Sequence, residues 1–171
     1  MKNLILILIF SFIPFFSFSY TISNKGKQFI KDQEKCALTA YWDSNAYSIG
    51  WGHHGSDVTK GMKISKSQAD KYFDKDIKEI EVAANRIINS LPYKYKFSQN
   101  FFDGLCSLVY NAGESGTKKS EFYKRLIKCR VKNGQMNKQD LAYSISGVKI
   151  SRISCKGHIS RRYNEHKLML G

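Results

Sequence analysis

Acidic residues are scarce in this chain of 171: 14 Asp and Glu stand against 28 Lys and Arg, a formal net charge of +14. Such an imbalance implies an anionic partner or surface. Nucleic acid, acidic lipid and anionic cell-wall polymer all qualify on composition alone. Proline is almost absent, Pro14 and Pro92 being the only two, and no glycine run occurs. Low-complexity or linker-rich organisation is thereby excluded. The four cysteines, Cys36, Cys106, Cys129 and Cys155, lack CxxC spacing, so no zinc or redox motif is signalled. HExxH is missing too, and His53-His54 has no companion at a ligand spacing. We therefore expect no metal and no cofactor. No apolar run reaches the ~20 residues that a membrane-spanning helix needs.

What is present suffices for one folded domain. Hydrophobic residues make up 42% of the chain, and a domain of about 150 residues buries about 68–70% of its unfolded surface. Residues 1–19 read as a leader: a basic start at Lys2, an apolar stretch from Leu4 to Phe18, and small residues at Ser17 and Ser19. That is the pattern of a secretory signal, and an uncleaved anchor is its alternative. Either way the expected destination lies across the inner membrane, in the periplasm or outside the cell. Residues 20–171 form the expected domain. Export and the lack of a nucleic-acid-binding motif count against nucleic acid as partner. In an oxidising compartment the cysteines admit three disulfide pairings or buried free thiols, and the sequence leaves these open.

The periodicity predicts a mainly helical α+β domain. Helices are expected from Ser23 to about Lys35, from the Ser65-Gln68 capping box to about Asn89, and from Ser98 to an end near Gly113. Shorter ones are expected near 121–128, 138–144 and 160–168. Between the first two, Thr39–Trp42 and Tyr47–Trp51 flank the turn residues Asp43-Ser44-Asn45-Ala46, a small hairpin. Trp42 and Trp51 are expected to pack in it.

The stretch from Glu34 to His54 carries the chemistry. Glu34 closes a helix and Asp43 sits at the hairpin turn, so two carboxylates from different elements can face one cleft. A glycosidic bond is cleaved by such a pair, one protonating the leaving oxygen and the other activating water or attacking the sugar. Alone, that spacing is a weak signal, equally met by a solvated glutamate and a turn aspartate.

The neighbouring motifs add a resemblance. Glu34, Ala40-Tyr41-x-Asp43 and Ser48-Ile49-Gly50-Trp51-Gly52-His53 resemble the signature of the phage-type lysozymes, the glycoside hydrolase family 24 muramidases. Gly61–Ala69, Phe102–Gly113 and Gly157–Leu168 are similar to further segments of that family, in the same order. The match spans roughly residues 24–170. It implies a two-lobed, lysozyme-like fold with a long connecting helix, and Glu34, Asp43 and Ser48 as catalytic residues. Glu34 would be the general acid, Asp43 the carboxylate that handles the attacking water, and Ser48 a hydroxyl that helps hold it. Tyr110 and Asn111 would line the cleft and contact sugar, and His53 would be structural or form the cleft floor. Arg161 and Arg162 read first as arginines on a helix face, with pairing of one to Glu34 or another acid as the alternative.

Two features depart from the family pattern. Serine replaces the usual threonine at position 48, and Ser48 follows Asp43 by five residues rather than six. The resemblance further implies a monomer acting on peptidoglycan glycan strands within the anionic bacterial envelope, with Sec export or a holin as the route to it. A catalytically inactive wall-binding module on the same fold and a lytic transglycosylase are the competing readings.

Overall fold

The computed structural model describes residues 19–43, 45–150 and 156–171. Most of the leader, Ser44 of the hairpin turn and Cys155 lie outside the described residues. Helix α1 (Asn24–Gln33) is capped by Ser23, whose hydroxyl accepts from the Gly26 amide. Strands β1 (Ala37–Asp43), β2 (Ala46–Gly50) and β3 (His53–His54) form one antiparallel sheet in that order. Helix α2 (Lys66–Asn89) begins at the expected capping box, with both reciprocal bonds made. Helices α3 (Gln99–Lys119), α4 (Glu121–Leu126), α5 (Lys138–Ser146) and α6 (Lys156–Leu170) follow.

Two apolar clusters define two lobes. The small one gathers Ile49, Val58, Ile64 and Ala69 beneath the sheet. The large one draws on all six helices, with Phe73, Phe101, Phe102, Leu105 and Phe122 essentially inaccessible. Helix α2 supplies Ala69 to the first and Phe73, Ile77, Ala84 and Ile87 to the second. It is the connecting helix that the sequence predicts, and its apolar spacing explains why one rod serves both cores.

Two details differ from expectation. The helix from Ser98 does not end at Gly113: the backbone breaks there, at φ 70°, ψ 167°, and helical structure resumes to Lys119. A second hairpin, β4 (Val131–Lys132) and β5 (Gln135–Met136), was not expected. Its turn is Asn133-Gly134, both at positive φ, which is the usual chemistry of a two-residue hairpin. Trp42 packs edge-on against Tyr47 across the hairpin, ring centroids 5.1 Å apart, yet stays 60% exposed. Trp51 packs as expected: its Nε1 donates to Asp70 at 2.9 Å, and Lys66 Nζ lies 3.5 Å from a ring centroid.

Cys36, Cys106 and Cys129 are free thiols, the latter two buried. Among the described residues no helix is long and apolar enough to cross a membrane.

Candidate active site

Helix α1 delivers Glu34, and the large lobe fixes α1. Asp103 of α3, fully buried, accepts from the Ser23 amide at 2.9 Å and the Ser23 hydroxyl at 2.5 Å. Ile30 is completely buried on the inner face. The helix stops at Glu34, whose backbone turns extended and runs into the sheet. The carboxyl therefore stands at the junction of the lobes.

There Glu34 Oε1 accepts from Arg161 Nη1 of α6 at 2.5 Å. Arg161 Nε donates to Glu165 Oε1 at 3.1 Å, and the Ser107 hydroxyl of α3 donates to the same oxygen at 2.8 Å. Arg162 bridges the other Glu165 oxygen and the Asn111 side-chain carbonyl. Arg162 and Glu165 are fully buried. Acidic and guanidinium side chains thus alternate in the order Glu34, Arg161, Glu165, Arg162. Breaking such a network by removing one member costs about 3–5 kcal/mol. The other oxygen, Glu34 Oε2, faces Gly52, where a β-carbon would lie 4.0 Å from it. Gly52 holds φ +100°, a conformation natural to glycine.

The hairpin carries the second carboxylate. Asp43 ends β1 opposite Ala46, Trp42 faces Tyr47, and Tyr41 faces Ser48. Side chains alternate along a strand, so Tyr41, Asp43 and Ser48 share one face, and Trp42, Tyr47 and Ile49 the other. Asp43 is exposed and Ser48 is buried. Burial, then the charges of Asp43 and Glu34, hold the Tyr41 phenol above its usual range.

The remaining predicted residues lie nearby. Tyr110 Oη donates to the Trp51 carbonyl at 2.7 Å, tying α3 to the sheet. Burial, with Asp76 and Glu34 next, pushes its phenol well up. Tyr110, Asn111, Gly52, Asp76 and Glu79 help line a cleft of about 440 Å³ between sheet, α2 and α3. His53 is buried below it, stacked on Tyr72 at 4.2 Å, with Nδ1 2.9 Å from Asp76 and Nε2 3.3 Å from Asp57. Among the described residues no group of His, Cys, Asp or Glu is arranged to hold a metal ion.

This geometry agrees with a profile match: the phage lysozyme family covers residues 31–165. The chain belongs to that family. Relatives of this phage lysozyme include an endolysin of Bacillus phage B103, 31% identical over 87% of the chain and 54% of the relative. An endolysin of Lactococcus phage c2 is 40% identical over 54% of the chain and 39% of the relative. The chain thus spans about half the length of these relatives or less. Among solved structures, an endolysin from Escherichia coli O157:H7 phage FAHEc1 superposes with a TM-score of 0.70 at 32% identity, covering 91% of this chain and 96% of that one. The muramidase domain of SpmX from Asticaccaulis excentricus has the same fold, with a TM-score of 0.72 at 22% identity over 89% and 99% of the two chains.

Within the phage lysozyme site, Ser107, Glu165 and Asp76 were not singled out from the sequence. Glu165 had a legible signal. It lies three and four residues after Arg162 and Arg161, the spacing at which helical side chains meet. Ser107 and Asp76 had none, because their partners lie 58 and 23 residues away.

Proposed function

We propose that this protein is a muramidase that hydrolyses the β-1,4 bond between N-acetylmuramic acid and N-acetylglucosamine in peptidoglycan, with inversion at the anomeric carbon. Glu34 donates its proton to the glycosidic oxygen as the bond to that carbon breaks. Asp43 takes a proton from a water molecule that attacks the opposite face, and Ser48 holds that water. Tyr110 and Asn111 line the sugar-binding cleft, and His53 supports its floor. The observation that supports the reading is the placement of Glu34 at the end of α1, held by Arg161 at the junction of the lobes, and of Asp43 at the end of β1 on the same sheet face as Ser48. Two carboxyls from different elements are what acid-assisted attack by water requires. The leader of residues 1–19 would take the enzyme across the inner membrane to the wall, where it acts as a monomer, and the +14 charge would concentrate it on the anionic envelope.

The test is clearing of a purified peptidoglycan suspension by the wild type and by Glu34→Gln. The wild type should clear it and release reducing ends, and the variant should stay folded and lose activity by at least a hundredfold, the low end for general acid catalysis. Clearing by Glu34→Gln would remove Glu34 from the mechanism. A 1,6-anhydro product would mean a transglycosylase, and wall binding without clearing an inactive module.

A further inference from the structure

Helix α1 carries lysine at positions 27 and 31, and α2 carries aspartate at 70 and 74. Side chains four apart share one helical face. Each lysine meets one aspartate, Lys27 Nζ 3.6 Å from Asp74 and Lys31 Nζ 2.7 Å from Asp70. The two rungs are not alike. Lys27 and Asp74 stand open to solvent, where an ion pair contributes little. Lys31 is only 22% exposed, and its ammonium lies 4.8 Å from the Phe73 ring centroid and 5.2 Å from that of Trp51, within cation–π reach. Asp70 Oδ1 accepts from both Lys31 Nζ and Trp51 Nε1. These bonds, Lys31 first, hold the Asp70 carboxyl below its usual range.

A lysine in the last turn of a helix is favoured by the helix dipole without any partner. The dipole therefore does not account for this gathering of groups, and their connections do. The Glu34 amide donates to the Lys31 carbonyl at 3.2 Å, the bond that closes α1. The Trp51 carbonyl accepts from Tyr110, and the next residue, Gly52, faces Glu34 Oε2. Lys31 thus stands where α1, α2 and the sheet meet, three residues before the acid.

We propose that Lys31 is a positioning residue for Glu34. By gripping Asp70 and the Trp51 and Phe73 rings it pins the last turn of α1 against α2 and the sheet, and so sets where the carboxyl stands. The ammonium touches no reacting atom and gives up no proton. Arg161 holds the carboxyl from α6, and Lys31 holds the backbone that carries it. The inference rests on the hydrolase reading above.

The discriminating experiment measures kcat and KM for soluble peptidoglycan fragments in the wild type, Lys31→Met, Lys31→Arg and Lys27→Met, at a temperature where circular dichroism shows all four folded. Methionine keeps the helix propensity of lysine and removes its charge. Lys31→Met should lower kcat by about tenfold with KM within about twofold, inside the roughly hundredfold that a misplacement of about 1 Å can cost. Arginine at this position should recover most of that loss. Lys27→Met, which removes the solvent-exposed rung, should keep kcat within about twofold of the wild type. Hydrogen exchange reads the pinned turn without activity. The Glu34 amide should exchange about tenfold faster in Lys31→Met, as a locally loosened helix end does, and at the wild-type rate in Lys27→Met. Undiminished kcat in Lys31→Met, a change confined to KM, equal losses in the two methionine variants, no recovery with arginine, or unmoved Glu34 exchange would each overturn the proposal. A wild type that cleaves nothing would instead defeat the hydrolase reading, with the exchange result still deciding whether Lys31 pins the turn.

Discussion

Asp76 is partly buried on α2 and faces His53 Nδ1 at 2.9 Å, whereas Asp57 is 46% exposed and faces Nε2 at 3.3 Å. The same ring thus has an expensive partner and an inexpensive one. Burial raises the Asp76 carboxyl above its usual range despite the histidine, while the His53 bond lowers Asp57. Asp76→Asn should therefore destabilise by about 1–3 kcal/mol, the cost of leaving a buried group poorly matched, and Asp57→Asn by under about 0.5 kcal/mol. Urea unfolding of the two variants checks the ranking, and equal losses would refute it. This pair also shows where residue-level reading stops. His53 was visible through its place after the hairpin, but the acids it meets come from a loop and a helix with no periodic relation to it. Glu34, Asp43 and Ser48 could be singled out as candidates because one continuous segment carries all three.

At the scale of elements, the strongest signals were local ones. The capping box at Ser65 and the apolar spacing of α2 foretold a helix whose limits the structure reproduces within a residue. Gly113 was legible as a helix breaker but not as a kink, because resumption of the helix depends on what the following residues pack against. Thr117 is fully buried and its hydroxyl donates to the Gly113 carbonyl at 2.8 Å, closing the first turn beyond the break. A β-carbon at Gly113 would meet nothing within 4 Å. Any penalty on substitution is thus conformational rather than steric crowding by neighbours. Gly113→Ala should cost about 1–3 kcal/mol, because φ 70° with ψ 167° is a backbone region almost reserved for glycine. A denaturant midpoint unchanged or raised would show that the kink relaxes to a straight helix instead. The β4–β5 hairpin escaped notice because two-residue strands are too short to display alternation, although Asn133-Gly134 marks the turn.

Over the whole molecule the positive charge is unevenly spread. From Lys118 to Lys138 there are eight basic residues and one acid, Glu121. Lys118, Arg125 and Arg130 pair with Glu114, Glu121 and Asp140, while Lys124, Lys128 and Lys132 stay in solvent. Lys124 lies on α4, Lys128 just beyond its end and Lys132 in the second hairpin, a region that contributes none of the proposed catalytic groups. Replacing Lys124, Lys128 and Lys132 together with Glu should slow clearing of whole cell walls several-fold at low ionic strength. The difference should shrink near 0.5 M salt, where screening acts over a few Å, and activity on short uncharged fragments should be unaffected. Equal slowing at every salt concentration would point to misfolding. Neither the charge total nor the family resemblance located this face, because folding decides which lysines find acids. The ion network has a consequence in time as well. Glu34 is separated from Arg161 by 127 positions, and ribosomes add about 5–20 residues per second. The acid is thus made on the order of ten seconds before the guanidinium that orients it. During that interval the growing chain lacks α6, and the buried arginine–glutamate lock cannot form. On the proposed function, the active site would be completed only after α6 has been made.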